Sequence, residues 1–224
     1  MQGKVIVIEG LDGSGKGTQT KLLFDTLKSL NFNIKQVSFP DYDSNSSALV
    51  KMYLQGEIKS SLNDINGYAA STFYAADRYI SFKTSWEEDY NKGYIILADR
   101  YTTSNAIYQL TKIKDNKDDY LSWLYDYEYN KLQIPKPDYV IYLDVPIEIS
   151  QKLMDKRYKG NEDKKDIHEK DTGFLNKCRQ EAKIVANKWN WDVINCTDDN
   201  GMRDVKEIQE EIFVKVTNYL NDNK

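Results

Sequence analysis

Between positions 10 and 18 the chain reads G-L-D-G-S-G-K-G-T, a spacing of glycines and lysine suited to gripping phosphate. Glycines let the backbone turn tightly, so that successive N–H groups aim at phosphate oxygens. A helix starting at the lysine adds its positive N-terminal end. The pattern G-x-x-x-x-G-K-[ST] is met by Gly10, Gly15 and Lys16, but Gly17 stands where a hydroxyl residue is expected. Lys16 supplies a point charge for outer phosphates, and Gly13, Ser14, Gly15 and Gly17 supply the cradle. The first hydroxyls are Thr18 and Thr20, candidates for holding a metal ion, in part through water. A second constellation, I-I-L-A-D-R-Y at 95–101, brings an aspartate and an arginine out of an apolar run together. At the carboxyl end of a parallel strand, where such sheets bind ligands, Asp99 can serve a metal or take a proton. Arg100 can clamp a phosphate bidentately. Thr102, Thr103, Ser104 and Asn105 follow, with small polar groups for a sugar or base. In F-Y-A-A-D-R at 73–78, Tyr74 and Arg78 are four apart and share one helical face. A ring and a guanidinium so placed suit stacking on a base and bonding its edge. A plain glycine turn, a structural Asp–Arg pair and a core aromatic would each explain one of these features singly.

Such residues need a scaffold that brings them together. Short apolar runs recur at 4–9, 34–39, 94–98, 139–143 and 191–194, separated by segments of helical period. Strands alternating with helices predict an α/β fold, a three-layer sandwich around a five-stranded parallel sheet. Leu22, Leu23, Leu27 and Leu30 predict the core stripe of the helix after the glycine loop. Val205, Ile208, Ile212, Val216 and Tyr219 predict that of a C-terminal helix. The stretch 41–86 offers helices and no strand. The run 152–170 is dense in charge, either a solvated face or a lid. With no internal repeat and no linker, one domain is expected over 1–224.

Composition narrows the class. The 224 residues include 40% hydrophobic residues, 17 Tyr and 4 Trp, enough for a core, and 4 Pro and 11 Gly speak against long disordered tracts. A net charge of −4 argues against a nucleic-acid partner. Cys178 and Cys196 have neither metal nor disulfide spacing and read as reduced thiols, which points to a cytoplasmic protein. The chain enters its first strand without a signal peptide, and no run approaches the ~18 apolar residues of a membrane span.

The motifs I-E-G-L-D-G-S-G-K at 8–16, F-P-D at 39–41, Tyr74 with Arg78, D-R-Y at 99–101 followed by Ser104, and L-D-V at 143–145 resemble the thymidylate kinase family. These are P-loop enzymes that phosphorylate dTMP, and the motifs occur in the family's order over most of the chain. The resemblance implies a P-loop kinase fold with a helical acceptor region at about 41–86 and a short lid at about 152–170. It implies ATP as donor, Mg²⁺, dTMP as acceptor, and a homodimer formed through helices. By the same resemblance Asp12 contacts the sugar or acceptor phosphate, Lys16 the donor β- and γ-phosphates, Asp99 the metal and Arg100 the acceptor phosphate. Tyr74 sits where the family usually stacks a phenylalanine on thymine, and Arg78 bonds the thymine edge. Phe39, Ser104, Asn105 and Gln109 fall to the acceptor site, and the stretch from Asn195 to Thr197 to the donor adenine. Two arginines of the family's pattern are missing. Tyr42 stands where F-P-x-R has one, and the glycine loop carries none, so the catalytic arginine is expected in the lid. Arg157 is the candidate there, with Lys159, Lys164 and Lys165 as further cations. His168, the single histidine, is expected to cap or decorate a helix. Two rival readings remain: a deoxynucleoside kinase using Asp41 or Asp43 as base, and a GTPase-like switch or binding module, for which N-K-D-D at 116–119 counts only as a chance match because it follows a polar stretch rather than a buried strand.

Overall fold

The computed structural model describes residues 2–58, 64–161, 166–199 and 201–223. Strands β1 (Lys4–Gly10), β2 (Ile34–Ser38), β3 (Ile95–Asp99), β4 (Tyr139–Asp144) and β5 (Asp192–Asn195) form one parallel sheet in the order β2-β3-β1-β4-β5. Each coincides with an expected apolar run to within a residue or two. β1 pairs Lys4 with Ile95 of β3 and Ile6 with Tyr139 of β4, so the strand that feeds the glycine loop is central. Val5, Ile6, Val7 and Ile8 are all fully buried, as expected of a strand covered on both faces.

Alternation along β1 assigns the two outer layers. Ile6 and Ile8 pack with Leu23 and Leu27 of α1 (Lys16–Ser29) and with Ile208, Ile212 and Val216 of α9 (Val205–Asp222). Val5 and Val7 pack on the other side with Phe82 and Trp86. Those two residues lie in a wide π-type turn that joins α3 (Gly67–Ser81) to α4 (Glu87–Asn91). The other α-helices among the described residues are α2 (Ala48–Leu54), the short α5 (Thr102–Ser104), α6 (Lys117–Tyr125), α7 (Ile147–Tyr158) and α8 (Thr172–Lys188). A small antiparallel pair, β6 (Thr197–Asp198) and β7 (Gly201–Met202), lies between β5 and α9 and was not legible in the sequence.

Two expected stripes need correction. On α1, Leu22 is 36% and Leu30 53% exposed, while Gln19 and Thr20 are buried beside Leu23 and Leu27. The buried line runs 19-23-27, because Gln19 faces the start of α9 and donates through Nε2 to the Val205 carbonyl at 3.0 Å. On α9 the buried set is Ile208, Ile212, Val216 and Leu220. Val205 is exposed, and Tyr219 stacks on Tyr139 at the rim, with ring centroids 4.6 Å apart. No strand occurs among the described residues of 41–86. The first part of the charged run belongs to α7, and Lys164 and Lys165 lie outside the described residues. N-K-D-D opens α6, with Asn116 left-handed at φ 55°, rather than following a buried strand. Both cysteines are free and buried. No helix among the described residues is long and apolar enough to cross a membrane.

Candidate active site

The ends of β1 and β3 lie side by side, with Ile8 in register with Asp99, so the glycine loop and the Asp–Arg pair emerge together. In the loop Gly13 and Gly15 are left-handed, at φ 77° and 83°, a conformation that favours glycine. Gly13 has a second reason: a Cβ there would meet the Ser150 carbonyl at 2.4 Å, because α7 lies directly on the loop. Lys16 Nζ is 3.4 Å from the Leu11 carbonyl and 3.8 Å from Asp12 Oδ1, and burial pushes its pKa down.

Gly17 also acquires a local cause, since a Cβ there would come within 3.2 Å of Asp99 Oδ2. Asp99 therefore occupies space that a side chain at 17 would contest. Its other oxygen, Oδ1, and the Ser14 hydroxyl are buried without a hydrogen-bond partner among the described residues. Native structures seldom leave such groups unpaired. Of the two expected hydroxyls, Thr18 is exposed, whereas Thr20 donates to the Lys16 carbonyl at 2.9 Å and is committed to the helix.

Arg100 is the hinge of the site. Its φ of 65° is rare for a residue with a side chain, and its N–H is fixed to the Ile8 carbonyl at 3.1 Å. Its guanidinium pairs with Asp12 Oδ1 at 2.5 Å, approaches Glu9 Oε1 at 3.5 Å and lies over the Tyr108 ring at 5.2 Å. The Tyr108 hydroxyl donates to Asp12 Oδ2 at 2.7 Å. Burial alone would raise the Asp12 pKa, but Arg100, Lys16 and Tyr108 together hold it well below the usual carboxylate range. Glu9 is fully buried and accepts from the Gly10 amide, from Thr103 Oγ1 at 2.6 Å and from Ser104 Oγ at 2.8 Å. Ser104 thus spends its proton on Glu9, although its side chain lines the cavity.

That cavity opens between the loop, α3 and the segment after β3. Phe39, Tyr74, Arg78, Arg100, Asn105 and Gln109, expected from the sequence, all line it. At its far end Arg78 is 1% exposed and bidentate with the fully buried Glu128, at 2.8 Å (Nε–Oε2) and 2.5 Å (Nη2–Oε1). Asn105 Nδ2 donates to Glu128 Oε1 and to the Ser71 carbonyl, both at 3.2 Å. Gln109 Oε1 is buried without a partner among the described residues. Tyr42, in place of the missing arginine, lines the cavity with its side chain half exposed.

The lid candidate stands apart from this cavity. Arg157, on the last turn of α7, has a side chain 64% exposed, lies over the Tyr158 ring and is 3.7 Å from Glu169. It does not line the cavity, because its helix ends at Tyr158 with that face in solvent, and Lys159 is exposed as well. The residues that enter from the far side of the charged run are Asp166 and His168. His168 is buried, its Nε2 is 3.0 Å from the Tyr53 hydroxyl, and its ring stacks on Tyr108. It therefore does not decorate a helix as expected. Burial, then Lys112, pushes its pKa down to about 3. Burial and Asp12 push Asp166 up to about 7. Glu9 could have been suspected from sequence, since a carboxylate in a buried strand demands partners; Glu128, Tyr53 and His168 left no such signal. Asn195 and Thr197 lie outside the cavity, at the carboxyl end of β5, where Asn195 Oδ1 accepts from Thr197 Oγ1 at 3.1 Å. Asp41 and Asp43, the bases a nucleoside kinase would need, do not line the cavity.

A parallel sheet with a glycine-rich phosphate loop after its central strand, and an Asp–Arg pair beside it, defines a P-loop phosphotransferase. The family model for thymidylate kinase matches residues 8–212. The chain is 30% identical over 216 residues to the thymidylate kinase of Plasmodium falciparum (isolate 3D7), covering 96% of this chain and 90% of that one. It is also 30% identical over 214 residues to a probable thymidylate kinase of Staphylothermus marinus, covering 95% and 97%. The solved thymidylate kinase structure from Candida albicans shares the fold, with a TM-score of 0.72 at 23% identity over 98% of this chain and 93% of that one. The chain belongs to the thymidylate kinase family, and its reaction is the ATP-dependent phosphorylation of dTMP to dTDP.

Proposed function

We propose that the cavity is the dTMP site, that the glycine loop is the ATP phosphate site, and that Arg100 joins them within one domain spanning 1–224. The observation that carries this reading is the Arg100–Asp12 pair at the junction of loop and cavity, held by a left-handed backbone at Arg100. In this arrangement Lys16 and the loop amides hold the donor β- and γ-phosphates. Arg100 turns toward the acceptor phosphate, and Asp12 serves the deoxyribose. Tyr74 and Phe39 flank the base, whose edge meets Arg78, Asn105 and Gln109. Asn195 and Thr197 border the donor adenine. The acceptor phosphate is itself the nucleophile, so the protein's work is to set two anions in line and offset their charge.

Mg²⁺ suits the carboxylate of Asp99, whose Oδ1 is unpartnered among the described residues, with Thr18 reached through water. Mg²⁺ is commonly held by one or two carboxylates plus substrate phosphates and waters. Bound there it would neutralise donor phosphate charge. The exposed apolar side chains Leu49 and Met52 of α2, with Tyr79 and Ile80 of α3, support a homodimer across these helices. Two free buried thiols fit a reducing, cytoplasmic setting.

The test is ATP consumption against a panel of nucleosides and monophosphates, with Lys16→Met and Arg100→Lys beside the unsubstituted enzyme. Each variant should lose about 10²–10³-fold in turnover of dTMP, the scale of one lost electrostatic stabiliser. Near-normal turnover by either variant, or turnover of thymidine in preference to dTMP, would overturn the assignment.

A further inference from the structure

The cavity is short of phosphate-binding groups. Of the basic side chains lining it, Arg78 is tied to Glu128 and Arg100 shares itself between Asp12 and Glu9, while Asp12 adds negative charge and Asp166 a further carboxyl. The remaining side chain of the basic type that lines it is His168.

The hydrogen bonds behind His168 fix its proton. Lys112 reaches the Tyr53 hydroxyl with Nζ, and an ammonium can only donate, so the Tyr53 oxygen accepts. Lys112 also donates to the Ile65 carbonyl at 3.4 Å, and burial lowers its pKa only to about 8, so it stays largely protonated at neutral pH. The Tyr53 O–H must then go elsewhere. Among the described residues its one available acceptor is His168 Nε2, at 3.0 Å. A ring whose Nε2 accepts while the imidazole is neutral carries its hydrogen on Nδ1. The ring is held in place by Tyr108, 5.5 Å away and 14° from parallel, and by Tyr53 and Phe174 at 5.6 and 5.2 Å. Tyr108 is the same ring that Arg100 lies over, so His168 stands at the Arg100 end of the cavity rather than at the Arg78 end.

We propose that His168 presents Nδ1–H to the acceptor phosphate as a neutral hydrogen-bond donor, its tautomer set from behind by Lys112 and Tyr53. The inference rests on the cavity being the dTMP site. A neutral donor adds a bond to the phosphate without burying another charge beside Arg100. It also takes over part of the task left open by Tyr42, where the family's pattern carries arginine.

The chain has one histidine, so a two-bond ¹H–¹⁵N spectrum of the labelled protein reports this ring alone. The free protein should show the proton on Nδ1, and Tyr53→Phe should release a mixture of tautomers. Adding dTMP should shift the Nδ1 signal, while thymidine, which lacks the phosphate, should not. His168→Phe keeps a ring in the stack and should raise KM for dTMP about tenfold or more, the scale of one bond to a charged group. KM for ATP should be unchanged. His168→Asn, whose amide N–H₂ reaches toward the same place, should recover part of the loss. A proton on Nε2, an Nδ1 signal indifferent to dTMP, or equal changes in both KM values would each overturn the inference. Because the tautomer is read without substrate and dTMP turnover is read on the unsubstituted enzyme, failure of the inference and failure of the cavity assignment give different results.

Discussion

Asp166 and His168 respond to burial in opposite directions, and the pair makes opposing contributions to how the folded protein answers to pH. Asp166 rises from 3.8 to about 7. A raised carboxyl favours folding while it is protonated, so its contribution is lost as pH climbs from about 3.8 through 7. His168 falls from 6.5 to about 3. A depressed imidazole favours folding while it is neutral, so its contribution is lost as pH drops below about 6.5. Between 3.8 and 6.5 the two slopes oppose, since folding in effect moves a proton from the histidine to the aspartate. Urea midpoints of Asp166→Asn should therefore decline, relative to the unsubstituted protein, as pH is lowered through this window. Those of His168→Phe should decline, relatively, as it is raised. Parallel profiles for all three proteins would refute the compensation. Glu128 makes a simpler case. It and Arg78 are both buried, so Glu128→Ala would strand a buried guanidinium at a cost of about 3–5 kcal/mol. Chemical denaturation should register that loss, and dTMP affinity should fall with it because Arg78 lines the cavity proposed for dTMP.

Among the elements, α7 is more tightly coupled to the glycine loop than its exposed C-terminal turn suggests. Its Ser150 carbonyl and Met154 side chain lie where a Cβ on Gly13 would go, at 2.4 and 3.0 Å. Gly13→Ala adds this collision to a left-handed φ, so either the loop or the helix must shift. The expected result is a higher KM for ATP and a lower melting temperature. An unchanged KM for ATP would show that the loop absorbs the methyl elsewhere. The elements also show what sequence can convey. The five strands were legible because a strand buried on both faces is an unbroken apolar run. The helical faces were less so. The buried face of α3 includes Ser71, Asp77 and Arg78, since it borders a polar cavity, while Tyr79 and Ile80 point outward. Within the site, the glycine loop and D-R-Y were readable because each is a local pattern. Glu128 meets Arg78 across 50 positions and His168 meets Tyr53 across 115, and no spacing rule reaches that far.

For the whole molecule, the outward apolar side chains on α2 and α3 predict self-association. Ile80→Glu should convert a dimer to a monomer in sedimentation equilibrium, and a native chain already monomeric at micromolar concentration would exclude that interface. The sheet order carries a different consequence. β1 is central, yet its neighbours on both sides come much later in the chain, Ile95 against Lys4 and Tyr139 against Ile6. Pairings that span such separations are slow to form, because loop closure must precede the contacts that reward it. On a ribosome adding about 5–20 residues per second, roughly 7–27 s separate synthesis of Ile6 from that of Tyr139. Throughout that interval one side of β1 has no strand beside it, and until β3 is made neither side has. Nascent chains halted before β4 should therefore bind trigger-type holdases and be cut readily by protease, and chains released after α9 should resist both.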